Sequence, residues 1–199
     1  MTIPPLKYVG GDPALDLINT VDWTAGGPRA ERLPDYPRLL DWAAGAGVVS
    51  AGVARRLRRK ARRHPAGAAA AVRAAHGTRD ILHRVLARRA AGEPPRPRDL
   101  AALNPLLADA LAHLALTPSA SGAALGWQGL GERLESPLWP VVWSAARLLA
   151  SEEADRIRVC AGTDCGWMYV DRSRNGLRRW CEMETCGTRE KNRRRASAP

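Results

Sequence analysis

Four cysteines near the carboxyl end of the chain constrain its fold more than any other feature. Cys160, Cys165, Cys181 and Cys186 are spaced C-x4-C-x15-C-x4-C. Each close pair offers two thiolates from one turn, and a loop between the pairs can fold all four around a single tetrahedral ion. Two disulfides are the alternative, and they require an oxidising compartment. The compartment therefore decides between a metal site and a disulfide framework.

The start of the sequence favours the metal site. The segment MTIPPLKYVGG lacks the charged region and the apolar run of a signal peptide, and no window contains the ~18 apolar residues of a membrane span. We therefore expect a cytoplasmic protein with reduced thiols and no membrane partner. The four cysteines are predicted to hold one structural zinc ion, because four protein thiolates leave no coordination position open for catalysis.

Positive charge is distributed unevenly along the chain. The formal net charge is +11, and residues 156–199 contain eleven Arg or Lys against five Asp or Glu. More than half of the positive excess thus lies in less than a quarter of the chain. A concentrated basic surface is typical of proteins that bind a polyanion, most often nucleic acid. A basic tail that only increases solubility is the alternative.

Hydrophobic periodicity predicts a mostly helical first domain of the α+β class, residues 1–155. The predicted helices span residues 12–22, 39–46, 50–64, 66–91, 99–114 and 137–150. Two strands around a turn are predicted between Leu114 and Gln128, and a loop at residues 26–28. The acidic stretch 151–155 marks the predicted boundary with a second domain, residues 156–199. We expect the first domain to fold around its own core.

The second domain is too short and too poor in aliphatic residues to fold on core burial alone, so a metal is expected to supply its folding energy. A strand is predicted over residues 167–170, a turn ending in Asn-Gly over 172–176, a returning strand over 177–180 and a helix over 188–195. Tyr169 and Trp180 carry rings that can stack on bases or pack around the metal. A module this small favours packing.

This second domain resembles the CGNR zinc-finger family. The resemblance rests on Cys160-x4-Cys165-Gly166-Trp167, on Asp171-Arg172-Ser173-Arg174-Asn175-Gly176 with Arg178-Arg179, and on Trp180-Cys181-x4-Cys186-Gly187-Thr188-Arg189. Thr188 stands where the family has Asn; it can cap a helix but lacks the amide for a bidentate contact with a base. The first domain resembles the ABATE domain that often precedes this module, through Gly11-x3-Leu15-Asp16-Leu17-Ile18-Asn19-Thr20-Val21, Glu31-Arg32-Leu33 and Leu39-Leu40-Asp41-Trp42.

The resemblance implies a treble-clef-like zinc fold that binds DNA, within a stress-induced transcription regulator. Arginine suits this role, because a guanidinium donates two parallel hydrogen bonds to a phosphate or a guanine edge. The candidate DNA-binding residues are Arg172, Arg174, Arg178, Arg179, Arg189, Lys191, Arg193, Arg194 and Arg195. A zinc ion with four thiolates carries a net negative charge that cations must balance. That is the alternative role for Arg158, Arg178, Arg179 and Arg189.

The first domain offers further candidate residues. A small-molecule pocket is predicted from Asp16, Asn19, Thr20 and Arg32, although helix caps and surface positions explain such polar residues equally well. Residues 55–63 form a second basic surface or a solvated helix face, and the second interpretation is favoured. His76 and His83 lie seven residues apart without a carboxylate at matching spacing, so packing is favoured over metal binding.

No catalytic triad, phosphate-binding loop or dinucleotide-binding fingerprint occurs in the sequence, so no catalytic residues are expected. The sequence therefore favours a DNA-binding transcription regulator whose first domain senses a small ligand or a stress signal. Two alternatives remain open: a zinc adaptor that binds protein or RNA, and an enzymatic activity within the first domain.

Overall fold

The computed structural model describes residues 3–24 and 27–196. The helices within these residues are α1 (Pro13–Ile18), α2 (Tyr36–Gly45), α3 (Ala51–Arg63), α4 (Pro65–Ala90), α5 (Pro97–Leu111), α6 (Leu138–Leu149) and α7 (Thr188–Ala196). The strands are β1 (Asp22–Thr24), β2 (Gly27–Arg29), β3 (Leu114–Ser119), β4 (Gly122–Trp127), β5 (Ile157–Val159) and β6 (Met168–Val170). A 3₁₀ helix (Glu152–Arg156) leads into β5, and a π-helical turn (Met183–Gly187) leads into α7. The predicted fold class, a mostly helical region with a small hairpin followed by a four-cysteine module, is confirmed.

The helices begin where capping residues occur in the sequence. Side chains of Asp12, Asp35 and Ser50 accept backbone N–H groups at the starts of α1, α2 and α3. α4 follows α3 almost directly, because only His64 separates them and Pro65 occupies the first position of α4. Within the described stretches, no helix is both long enough and apolar enough to cross a membrane.

The described strands form three separate antiparallel pairs. In the longest pair, β3 lies against β4 with Leu114 opposite Trp127, which confirms the predicted hairpin. The short pair β1–β2 places Trp23 opposite Pro28. The loop predicted at residues 26–28 is therefore partly a strand, and residue 26 itself lies outside the described residues.

Strand pairing around the cysteines differs from the prediction. β6 pairs with β5, with Ile157 opposite Val170, and residues 177–180 do not form a strand. The Asp171 carboxylate accepts the backbone N–H groups of Ser173 at 2.9 Å and of Arg178 at 3.0 Å. These bonds close residues 171–178 into a compact turn. The predicted returning strand is therefore wrong, because a side chain takes the N–H that a strand partner would have bonded.

The main hydrophobic core crosses the predicted domain boundary. Leucines of α1, α2, α4 and α6 supply much of it, and Ile157, Met168 and Val170 belong to the same cluster with 0–2 % exposure. Asn19 at the end of α1 donates to the Met168 carbonyl at 2.8 Å and accepts the Met168 N–H at 2.9 Å. The boundary near residues 151–156 stays a prediction, and the strands that follow it complete the helical core.

Candidate metal centre and basic surface

The four predicted metal ligands converge in space. Their sulfur atoms all lie within 4.8 Å of one another. The Sγ atom of Cys181 is 3.8 Å from that of Cys165 and 3.6 Å from that of Cys186. Thiolates bound at about 2.3 Å around a tetrahedral ion are separated by about 3.8 Å. The positions of the sulfurs therefore fit one tetrahedral metal ion.

Three of the cysteine sulfurs influence one another's protonation. Hydrogen bonds from the Cys165 and Cys181 thiols lower the pKa of Cys160 to about 2. The bond to Cys160 raises the pKa of Cys165 to about 12 and, with the bond to Cys165, raises the pKa of Cys181. Thiols can thus stabilise one thiolate among themselves, whereas four adjacent thiolates need a bound cation. The chemistry of the donor set therefore fits a metal ion.

Backbone groups approach the sulfurs closely. The N–H groups of Gly162 and Cys181 lie 3.4 Å and 3.3 Å from the Cys160 sulfur. A Cβ atom at Gly162 would lie 3.1 Å from the Cys186 Cβ and 3.2 Å from the Cys186 sulfur. A side chain here would press against a ligand, so the first cysteine loop favours glycine at this position. The N–H donors also offset part of the negative charge of the thiolates.

Two buried carboxylates hold the loops of the module. The Ser173 hydroxyl donates to Asp171 at 2.6 Å, and this bond and the backbone donors lower the pKa of Asp171. Glu190 on α7 accepts from the Thr163 N–H at 3.0 Å and hydroxyl at 2.7 Å, and these bonds lower the pKa of Glu190 to about 2. Glu190 thereby joins α7 to the first cysteine loop. The sequence signals one of the two, since Asp-x-Ser favours an Asx turn, but it carries no local signal for Glu190.

Arg178 is engaged inside the protein. Its guanidinium donates to the carbonyls of Trp180 at 3.0 Å, Val9 at 3.1 Å and Cys181. The same group lies 4.1 Å from the centre of the Tyr169 ring. Tyr169 is itself buried, which agrees with packing rather than base stacking. Arg178 therefore holds the chain around the second cysteine pair.

Arg172 is also engaged with the protein. It forms a two-pronged ion pair with Glu153, at 2.6 and 2.9 Å, and donates to the Gly11 carbonyl at 2.7 Å. These bonds join the turn after β6 to the 3₁₀ helix and to the segment before α1. Arg172 and Arg178 thus have contacts that explain their positions without DNA.

Other predicted cations gather around one aromatic side chain. The Arg179 guanidinium lies 5.3 Å from the centre of the Trp180 ring. A cavity of about 550 Å³ separates Trp180 from α7, and exposed Met183 lines it. We call this region the Trp180 surface, and it consists of Arg179, Trp180, Met183, Lys191, Arg194 and Arg195. Thr188 also lines the cavity, and its hydroxyl donates to the Met183 carbonyl at 3.1 Å.

The remaining predicted DNA-binding residues lie elsewhere. Arg174 is exposed on the turn that follows β6. Arg193 forms an ion pair of 2.9 Å with Glu190. Arg189 faces the cysteines rather than Trp180. The predicted DNA-binding cations therefore do not all lie on one surface of the structure.

Two families match the chain in succession. The family described as "Putative stress-induced transcription regulator", ABATE, matches residues 11–152, which is more than half of the chain. The chain belongs to the ABATE family. The CGNR zinc finger matches residues 156–197, so the two families occur in the order that the sequence motifs indicate. A comparison with curated proteins finds no match.

Cations from the segment before the ABATE match and from the ABATE region lie in a groove beside the cysteines of the CGNR module. Lys7 and Arg32 line a groove together with Arg189, beside Cys165, Cys181 and Cys186. Arg32 also lies 4.9 Å from the centre of the Trp167 ring. Within this groove Lys7 forms an ion pair with Glu182, and Arg32 forms one of 2.9 Å with Asp22. The sequence does not predict that Lys7 lies near the cysteines, because the two are too far apart in the chain for any local sequence pattern to connect them.

The residues of the predicted ligand pocket in the ABATE domain have separate bonding partners. Asp16, Asn19, Thr20 and Arg32 are all buried. Their partners are the Gly10 N–H, the Met168 backbone, the Leu17 carbonyl and the Asp22 carboxylate. Burial raises the pKa of Asp16 to about 6. These side chains hold neighbouring segments together, and the ligand pocket stays a prediction.

The two histidines of α4 have separate environments. His76 Nε2 lies 2.9 Å from the Leu33 carbonyl. His83 stacks on Trp23 with 3.6 Å between ring centres, and burial lowers the pKa of His83 to about 4. These contacts agree with the favoured interpretation, in which both histidines pack against the protein.

Proposed function

We propose that this ABATE-family protein is a transcription regulator that binds duplex DNA through a zinc-stabilised CGNR module. The observation that carries the proposal is the Trp180 surface, where Arg179 lies over the Trp180 ring and three cations of α7 line one cavity with that ring and an exposed thioether. Clustered Arg and Lys neutralise phosphates and release counterions. Apolar side chains beside them can pack against sugars or base edges. This combination suits a nucleic acid better than it suits a purely solvating surface.

Zinc is the proposed metal, and its role is to stabilise the module. Zinc prefers four-coordinate sulfur sites of this size. α7 begins at Thr188, two residues after the ligand Cys186. Glu190 holds the same helix to the first cysteine loop. Zinc binding therefore fixes the helix that carries three of the cations of the Trp180 surface, and we propose no catalytic role for the metal.

The arginines of the module divide into two groups under this proposal. Arg172 and Arg178 position the chain through carbonyl groups and Glu153. The cations of the Trp180 surface contact DNA. Thr188 lies in the same cavity, and its methyl and hydroxyl groups would contact DNA without the bidentate amide of the family's Asn.

The test is selection of bound duplexes from a random DNA pool at physiological salt. The native protein should enrich a sequence motif, a chelator should abolish binding, and added zinc should restore it. An equal mass of random RNA should compete weakly. Strong competition by RNA, or binding without enrichment that a simple polycation reproduces, would contradict the DNA-binding proposal and favour an adaptor.

A further inference from the structure

A second cavity lies in the ABATE domain, far along the chain from the cysteines. Its volume is about 760 Å³, and it lies where the start of α2 meets the end of α3 and the first turns of α4. Pockets that bind small organic ligands commonly enclose about 300–1,000 Å³. The cavity is therefore of a size that accommodates one small organic molecule.

Helix geometry and small side chains create this hollow. α3 and α4 diverge from His64, which alone separates them. Alanines face the cavity from both helices, at Ala61, Ala68 and Ala69. Larger side chains at these positions would fill the space between the helices. Other apolar walls come from Pro34, Tyr36, Pro37, Pro65 and Val72, and His76 also lines the cavity.

The charged residues of the cavity are mostly cationic. Arg62 and Arg73 are exposed and line it, and among the described residues neither has a carboxylate within ion-pair distance. Arg58 also lines the cavity and pairs with Asp41. The one acidic residue of the lining, Asp35, accepts the Arg38 N–H as the cap of α2. An anionic group entering the cavity therefore meets available positive charge from two helices.

We propose that this cavity binds a small organic anion with an apolar body, such as a medium-chain carboxylate. The apolar part lies against the alanines, Val72 and the prolines, and the carboxylate lies between Arg62 and Arg73. The occupant is small because the cavity has a volume of about 760 Å³. This proposal goes beyond the proposed function, since it assigns a separate site and is tested without DNA.

The site is tested by isothermal titration calorimetry of the zinc-loaded full chain with octanoate and with octan-1-ol. We expect one octanoate per chain, bound about fivefold more tightly than octan-1-ol, because an exposed ion pair contributes up to a factor of about five. Equal affinity for the alcohol would refute the anion claim. Absence of saturable octanoate binding at millimolar concentration would refute the site.

Two pairs of variants locate the binding. Ala69→Leu fills the cavity from an exposed helix position and should abolish octanoate binding. Ala70→Leu, at the exposed neighbour outside the lining, should leave octanoate binding unchanged.

Arg62→Gln and Arg73→Gln should each weaken octanoate binding by up to about fivefold and leave octan-1-ol binding unaffected. Arg59→Gln, exposed on α3 outside the lining, is the charge-matched control. Equal effects within either pair would place the ligand elsewhere and overturn the proposal.

Discussion

Arg178 and Arg179 are neighbours in the sequence but contact different parts of the protein. Arg178 donates to three carbonyl groups around the second cysteine pair, while Arg179 lies over the Trp180 ring at the surface. Charge alone cannot separate such residues, because both contribute equally to the basic character of the segment. Their hydrogen bonds give them different roles, and substitution should show it.

Arg178→Ala should lower the free energy of unfolding by about 2 kcal/mol, because charge-assisted hydrogen bonds to backbone carbonyls are lost. Zinc affinity should fall as well, since the chain around Cys181 loses support. Arg179→Ala removes the same charge and should change stability by no more than about 0.5 kcal/mol. Urea unfolding and competition with a chromogenic zinc chelator measure both effects. Equal losses in the two variants would show that Arg178 has no special structural role.

Asn19 connects α1 to β6 through both polar atoms of its amide. Asn19→Ala should lower the free energy of unfolding by about 2–3 kcal/mol, because two hydrogen bonds are lost and the Met168 backbone groups stay buried. Asn104→Ala on the exposed face of α5 is the control and should be nearly neutral. Urea denaturation of the zinc-loaded chains measures the difference, and a neutral Asn19→Ala would mean that these bonds are replaced by water.

Asp16 gives stability a pH dependence. Its folded-state pKa is about 6, above the ordinary value of 3.8. The folded state therefore holds the proton more tightly, and this group's contribution to stability falls as pH rises from about 4 to 6 and is constant above that range. A shift of this size corresponds to about 3 kcal/mol.

Asp16→Asn should remove this pH dependence. The free energy of unfolding of the variant minus that of wild type should be larger at pH 7 than at pH 4.5. A constant cost of burying the amide does not affect this comparison. Comparing both chains at the same pH cancels the loss of zinc in acid. Urea unfolding at the two pH values measures the effect. A difference in free energy of unfolding that does not change with pH would show that the pKa of Asp16 is not raised in the folded protein.

At the scale of elements, local signals predict most helix positions and few of the short strands. The helix predicted over residues 12–22 ends at Ile18, and β1 begins at Asp22. Asp12 with Pro13, and Ser50, mark the starts of α1 and α3 within a few residues of sequence. β5 and β6 are three residues long, and their pairing depends on residues that lie far apart in the chain. The turn after β6 forms through Asp171, which competes with strand pairing. Tertiary contacts therefore determine which short segments pair as strands, and hydrophobic periodicity does not predict this pairing.

The metal site is predicted from the sequence more completely than the basic surface. The spacing of metal ligands reflects the geometry of coordination, so the four cysteines can be predicted as ligands from the sequence alone. Positive charge identifies Arg172 and Arg178 as cations but carries no information about the Gly11 and Val9 carbonyls that they contact. Lys7 and Arg32 enter the cysteine groove only because the chain folds back on itself.

The helical core and the CGNR module share apolar residues, and a truncation tests this. A fragment of residues 1–155 lacks Ile157, Met168 and Val170 from the main core. Burial of each such side chain contributes about 1.5–3 kcal/mol, so the fragment should be less stable than the full chain by about 5 kcal/mol. Circular dichroism during urea unfolding measures the difference. A fragment as stable as the intact protein would show that the helices form a complete core alone.

At the scale of the whole molecule, many contacts tie the CGNR module to the ABATE domain. The Trp167 indole donates to the Val21 carbonyl at 3.0 Å, and the Val170 N–H donates to the Gly10 carbonyl at 2.9 Å. A Cβ atom at Gly166 would lie 2.4 Å from the Trp23 carbonyl oxygen, so the two chain segments touch directly. These contacts join the strands beside the cysteines to the helices of the ABATE domain.

The most direct test of the account is the salt dependence of duplex DNA affinity for three zinc-loaded chains. They are wild type, the double variant Arg179→Gln/Lys191→Gln on the Trp180 surface, and the double variant Arg55→Gln/Arg59→Gln on the exposed face of α3. Each lost phosphate contact reduces the magnitude of the slope of log affinity against log salt by about 0.9. The account predicts a reduction of about 1.8 for the first double variant and none for the second. Unchanged slopes in the first double variant, or a reduction confined to the α3 variant, would contradict DNA binding by the Trp180 surface.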